Sequence, residues 1–401
     1  MQIFKEAIPL KYWGGYVTAA IFAALTVVLM QMGQRFAVLV DMVYPYVIRT
    51  MQTMLAEWSA GTDLLLWQVG AVVLIVVALA SIVAMIILRW NPIRWFGWVL
   101  AVCSLVYMCH TIVYGMNYYA GPLAEDIRLE TVEYTVEELT EAAEYYRDKA
   151  NELAAQVKRD AKGSVDFADF DTLAQQAGAG FENLTYEYSF PIYAGSTLPV
   201  KELGWADMYT SMGITGIFIG LTGEAAVNPQ IPDASLPFTM CHEMSHRMCI
   251  ATERDANFSG FLACMANDSV EFQYSAYFMA YRYCYSALSA AGTTEASAAA
   301  ARVKTGVSEL LNRDLEDYND FFRSNRSETA TKVANVANDA YLKTSGDEAG
   351  VASYGDVCDL LVAWHIQEVV LPGITETEEA FDPYDESQVD LSGIVNAKED
   401  E

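Results

Sequence analysis

The sequence predicts a membrane-anchored, mainly α-helical protein, with three transmembrane helices followed by an α-rich domain that carries a short strand at its cleft edge. Three observations predict it. Long apolar runs are confined to the first 120 residues, and the remainder alternates mostly in helical periods. Charge divides at the same boundary. Residues 1–120 hold six Lys/Arg and four Asp/Glu; the rest of the 401-residue chain holds 18 and 48, so nearly all of the net charge of −28 lies there. So acidic a surface excludes nucleic acid as a partner, because phosphates need a positive footprint.

The first apolar run covers residues 12–32, the second 64–88 and the third 95–118, the last flanked by Trp and Tyr as interfacial belts are. Each suffices for a bilayer, which takes about 20 helical residues. A cleaved leader is not expected, since two further runs follow the first. Lys5, Lys11, Arg89 and Arg94 fall on one side and Arg35 and Arg49 on the other. The positive-inside tendency therefore places the N-terminus inside and residues from about 120 onward outside the cytoplasm. The apolar connection 34–62 reads as an interfacial amphipathic helix or as a re-entrant piece buried against the soluble domain. His110 lies inside the third run. An intramembrane ionisable group points to function by default, although a neutral imidazole bonded to a neighbouring helix is the commoner outcome.

Residues 121–371 form the expected soluble domain. Thr135 and Glu138 make a capping box that opens a helix to about Arg159. A short helix follows at 171–186. Gly213–Gly220 (GITGIFIG) is β-rich and bounded by glycines, the signature of a strand. Helical periods return over 236–290, 296–313 and 350–371, so one or two strands are expected in all. Tyr274, Tyr277 and Tyr281 recur at helical spacing and read as packing. Outside the apolar runs there are five cysteines and no CxxC pair, which suggests buried thiols rather than a disulfide framework or a cysteine metal site. From Pro372 the chain turns acidic and poor in apolar residues, as a disordered tail does.

Chemistry concentrates at His242-Glu243-Met244-Ser245-His246, an H-E-x-x-H motif holding two of the four histidines in the chain. Ser235 can cap its helix, with Pro237 in a first turn where a missing N–H costs nothing. On a helix His242 and His246 project from one face toward one ion. Glu243 beside them is placed to hold water rather than metal and to carry its proton, which is the arrangement of a zinc-dependent peptidase. Zinc needs a third protein ligand and one open position. Glu253 is the expected ligand, with Asp255 as alternate. On a straight helix Glu253 would lie about 10 Å from His246 at 1.5 Å per residue, so the helix must break near Cys249–Thr252. Asn257, one turn past Glu253, is placed to orient that ligand. The strand at Gly216, Ile217 and Phe218 can line the cleft and hold an extended polypeptide by strand addition. Glu224, in the turn after it, can touch substrate or cap the next element.

These residues resemble an uncharacterised group of bacterial membrane proteins that pair an N-terminal multi-span region with a zinc-peptidase-like domain. The matching text is GITGIFIGLTGEAAVN, DASLPFTMCHEMSHRMC, ERDANFSGFL and VANDAYLKTSGDEAGVASYGDVCDLL. The resemblance implies a zincin-like fold with His242, His246 and Glu253 as ligands and Glu243 as catalytic carboxylate. The E-x-x-A-N text also looks like the ligand helix of gluzincins. Two positions depart from the pattern. Cys249 stands where the group has glycine, which would most easily make the required turn. Gly220 stands where it has proline.

A peptidase needs a donor for the developing oxyanion. Tyr354, spanned by the resemblance, is the favoured candidate and is assigned with Glu243 to catalysis. His365 sits on an apolar helical face and reads as a core histidine. The expected function is a membrane-bound zinc peptidase acting on polypeptides; the alternative is a non-catalytic metal-binding envelope sensor or assembly factor.

Overall fold

The computed structural model describes residues 12–131, 133–187, 191–347 and 357–372. The chain opens with α1 (Gly14–Arg35), α2 (Ala37–Ser59), α3 (Leu66–Ile87) and α4 (Pro92–Val113), and a 3-10 turn at Gly115–Tyr119 follows. Helices α1, α3 and α4 are long and apolar enough to cross a bilayer, compatible with a membrane-anchored protein. Each begins or ends a few residues away from the apolar run that marks it, because caps rather than hydropathy set the ends. Asn91 Oδ1, for example, accepts the N–H groups of Ile93 and Arg94 and starts α4 before Trp95.

The connection at 34–62 is one helix, α2. One face buries Ile48, Arg49, Gln52 and Ala56. The Arg49 side chain donates to the Met248 carbonyl and Gln52 to those of Gly220 and Val113. The other face exposes Val38, Leu39, Val47 and Trp58, the pattern that a helix lying on a bilayer presents.

The larger body is helical: α5 (Leu123–Asp126), α6 (Val136–Ala154), α7 (Phe170–Glu187), α8 (Ala206–Met212), α9 (Leu236–Arg247), α10 (Glu253–Met265), α11 (Val270–Ala290), α12 (Thr294–Thr305), α13 (Glu309–Asn325), α14 (Glu328–Ser345) and α15 (Val357–His365). The capping box at Thr135 forms in both directions: its hydroxyl accepts from Glu138 N, and Glu138 Oε2 accepts from Thr135 N. The period over 296–313 divides into α12 and α13, with Gly306 as the cap between them. Helices α6, α7, α10 and α11 surround an aromatic core that includes Tyr146, Phe181, Phe258, Phe261 and Phe278. Tyr274 and Tyr281 are fully buried. Tyr274 donates to Asp314, which also takes both Arg159 terminal nitrogens at 2.8 Å.

Three strands form the sheet, one more than the upper expectation: β1 (Lys201–Glu202), β2 (Gly216–Ile219) and β3 (Glu224–Val227), in the order β1-β3-β2. β1 runs parallel and β2 antiparallel to β3. Two-residue β1 carries too little alternation to be legible in the sequence. β2 is an edge strand. At the β2–β3 turn Gly223 has φ +66°, and a Cβ there would lie 2.8 Å from the Ala56 nitrogen. Glycine is required on both counts.

Candidate metal centre

α9 is buried from end to end, so its polar groups must be satisfied from within the protein. Ser235 occupies the cap position but does not cap, since its hydroxyl bonds to the Pro232 carbonyl. The first turn is held instead by Ser275 of α11, whose hydroxyl accepts the Phe238 N–H at 3.1 Å. A cap from 40 residues away leaves no local signal.

The helix stops at Arg247, and Cys249 turns back with φ +70°. Its N–H bonds His246 O and that of Ile250 bonds Ser245 O, which together make a Schellman motif with a non-glycine residue at the left-handed position. The same turn delivers the Ile250 carbonyl to His246 Nδ1 at 2.8 Å. That bond fixes the proton on Nδ1 and leaves the Nε2 lone pair free. Thr252 then caps α10 by accepting from Asp255 N, and Glu253 is the first helical residue.

The break brings the predicted ligands together. One donor atom each from His242, His246 and Glu253 lie within 4.8 Å of one another. Glu253 Oε2 is 3.2 Å from His242 Nε2 and 3.8 Å from His246 Nε2. It is buried, yet has no hydrogen bond. Three acceptor atoms converging in a buried space fit a cation, since a buried carboxylate needs a positive partner. Burial pushes the Glu243 carboxyl up to about 7. Burial opposes a charged His246, but Glu253 and Glu243 beside it carry it up to about 9. Burial likewise opposes a charged Glu253, and the two imidazoles beside it hold its carboxyl far below the usual carboxylate range.

Glu243 does not join the triad. It faces Gly216 of β2, where any Cβ would collide with its carboxylate. Gly216, Ile217 and Phe218 line a cavity of about 1370 Å³ shared with His242, Glu243, His246 and Glu253. The Phe218 ring stacks near His246, with centroids 6.4 Å apart.

The structure redirects three assignments. Asp255 points away from the cluster, accepting from Leu123 N and Arg254 Nε. It sits two residues beyond Glu253, hence on another face of the helix. Asn257 accepts from the Tyr283 hydroxyl at 3.1 Å rather than orienting Glu253. Glu224 serves as a cap, though for α3 rather than for the next element: its carboxylate accepts Leu66 N and Trp67 N at the start of α3 and pairs with Lys201 Nζ at 2.9 Å. Tyr354 and the tail from 373 lie outside the described residues. His365 is buried against Tyr145, and burial lowers its pKa. His110 meets the Tyr341 hydroxyl of α14 at 3.2 Å. Tyr114, Tyr118 and Tyr341 also line the cavity, and the Tyr114 hydroxyl lies 3.4 Å from His246 Nδ1. Nothing local in the sequence marks them, because they arrive from elements more than 75 residues from the motif. The Tyr114 side chain fills the space beside Gly220, where a Cβ would lie 2.6 Å from Tyr114 Cβ.

Among known families, the one described as "Protein of unknown function (DUF3810)" matches residues 40–362. The chain belongs to this family. The DUF3810 match runs from α2 into α15, so it contains α3, α4, the sheet and the whole triad. No curated protein and no solved structure matches the chain.

Proposed function

We propose that this chain is a membrane-bound zinc-dependent peptidase whose cleft faces outward from the cell, with polypeptides as substrates. The observation that supports it is the convergence of His242, His246 and Glu253 within 4.8 Å, with Glu243 beside them on a large cavity. Two imidazoles and one carboxylate are the donor set of hydrolytic zinc sites that keep a fourth position open. Bound there, zinc would polarise the scissile carbonyl and make water a nucleophile near neutral pH.

The remaining work falls to the chain. His242 and His246 present their Nε2 atoms to the site, the second ring oriented by the Ile250 carbonyl. Glu243 takes a proton from the attacking water as the new C–O bond forms. It returns that proton to the amine as the C–N bond breaks, which regenerates the carboxylate. The outer edge of β2 can pair with an extended substrate and hold its scissile bond over Glu243.

The test is metal content and peptide turnover of the purified full chain and of Glu243→Gln. About one zinc per chain in both, with turnover reduced roughly 100-fold or more in the variant, is expected. Undiminished turnover in Glu243→Gln, or no metal in the active protein, would sink the reading.

A further inference from the structure

The cavity at the metal cluster is not confined to the helical body. Its wall continues down the two apolar helices that follow one another in sequence, α3 and α4. Leu74 and Val77 line it from α3, and Trp98, Val102 and Val106 line it from α4. None of the hydrophobic window of α3 is buried against the rest of the chain. α1 and α4, by contrast, pack so closely that a Cβ on Gly15 would strike the backbone of Gly97. Near the turn joining α3 to α4, Trp95 Nε1–H bonds Ser81 Oγ at 3.1 Å, and both residues belong to the cavity wall. From there to Tyr114, α4 runs 19 residues, or about 28 Å at 1.5 Å per residue. The trough is therefore about as long as the roughly 30 Å bilayer core is thick. Glu243 lines the same cavity.

Three properties identify the occupant. The wall between α3 and α4 is mostly apolar, with Cys103, Tyr107 and His110 the ionisable groups among its described residues, and His110 is engaged by Tyr341. The whole cavity, cleft included, measures about 1370 Å³. A single extended hydrocarbon chain, on the order of 30 Å³ per methylene and so a few hundred Å³ in all, occupies only a part of that volume. At the mouth, the edge of β2 accommodates extended polypeptide.

We infer that the substrate is a lipid-anchored polypeptide, its hydrocarbon chain lying in the α3–α4 trough while the residues next to the anchor pair with β2 above Glu243. This assignment rests on the peptidase reading and adds a substrate class to it. A chain already in the bilayer enters sideways between α3 and α4, and the anchor sets how far along the peptide the scissile bond lies.

The experiment uses the full chain in phosphatidylcholine vesicles and one reporter peptide, bare or carrying an N-terminal palmitoyl chain with a photoreactive group. Palmitoylation is expected to raise kcat/KM at least roughly tenfold, mainly through KM, because buried methylenes add binding. In Glu243→Gln, which binds without cutting, crosslinks are expected on Leu74, Val77, Val102 and Val106. Val102→Trp, which fills the trough, should weaken those crosslinks and bring the palmitoylated peptide down toward the bare one. Equal cleavage of the two peptides, or crosslinks confined to the outward face of α3 at Val73 and Ile75, would overturn the inference and leave the peptidase reading standing. Trough crosslinks without cleavage of either peptide would overturn the peptidase reading instead.

Discussion

The Glu224 carboxylate accepts the Leu66 backbone N–H at 2.8 Å, so the first residue of β3 holds the first turn of α3. The strand that pairs with the cleft edge is thereby bonded to the helix that forms one wall of the trough. The same oxygen takes Lys201 Nζ at 2.9 Å, and the Glu224 side chain is fully buried. Glu224→Ala removes a cap and leaves the lysine without its charge partner. A loss of about 3 kcal/mol is expected from stranding a buried charge together with losing the cap. Thermal melts in detergent measure it, and Glu224→Gln should recover part of the loss.

Gly216→Ala tests the placement of Glu243. The added methyl must displace the carboxylate it meets, and roughly 1 Å of misplacement costs on the order of 100-fold in rate. Turnover should fall by about that factor with metal content unchanged. An active Gly216→Ala protein would place the base elsewhere.

Metal should stabilise the fold, since ligand binding to the native state alone adds stability by mass action. Zinc at about 1,000 times its Kd contributes about 4 kcal/mol. A melt with and without chelator should show that difference in the native chain and lose most of it in Glu253→Ala.

Cys249 holds a left-handed conformation that a Cβ makes costly. Cys249→Val adds a β-branch there and should cost about 2 kcal/mol. It should also loosen metal binding, because the same turn carries the Ile250 carbonyl to His246. Cys249→Gly should change stability by less than about 1 kcal/mol, relief of strain offsetting the lost side chain. The comparison is read from melts and metal titrations of the two variants.

Asp126 gives the pH dependence. Burial, reinforced by Asp41, Glu125 and Asp255 and opposed by Arg49, raises its pKa to about 6 from an ordinary value of 3.8. The folded state therefore binds this proton more tightly than the unfolded chain does. Its stabilising effect is complete below pH 3.8 and is lost as pH rises through 6. Solvent screening at this partly exposed site keeps the effect below about 1 kcal/mol. Asp126→Asn should flatten the melting temperature between pH 4 and 7 relative to the native chain, and an unchanged slope would exclude Asp126 as its source.

Local signals were legible wherever the physics is local. Hydropathy marked α1, α3 and α4 to within a few residues, since about 20 apolar residues suffice to recognise a span. The Thr135–Glu138 capping box forms as its spacing requires. The four-residue interval of His242 and His246, with a distance too great for a straight helix to bring Glu253 near, called for the break that Cys249 makes. Where the partner is distant, sequence pattern misled. Ser235 looked like a cap, but Ser275 does the capping. Glu224 read as a substrate contact or as a cap for the next element, and it caps α3, from earlier in the chain, through the N–H groups of Leu66 and Trp67. Asp255 differs from Glu253 only in which way α10 turns it.

By itself, then, the sequence determined three bilayer-length helices, a helical body and the pair of imidazoles one turn apart, because periodicity and caps act over a few residues. The tertiary structure alone decided that Glu253 meets those imidazoles, that Gly216 faces Glu243, and that the cleft continues between α3 and α4. Each of those depends on side chains from elements far apart in the chain, and only close packing sets which of them touch.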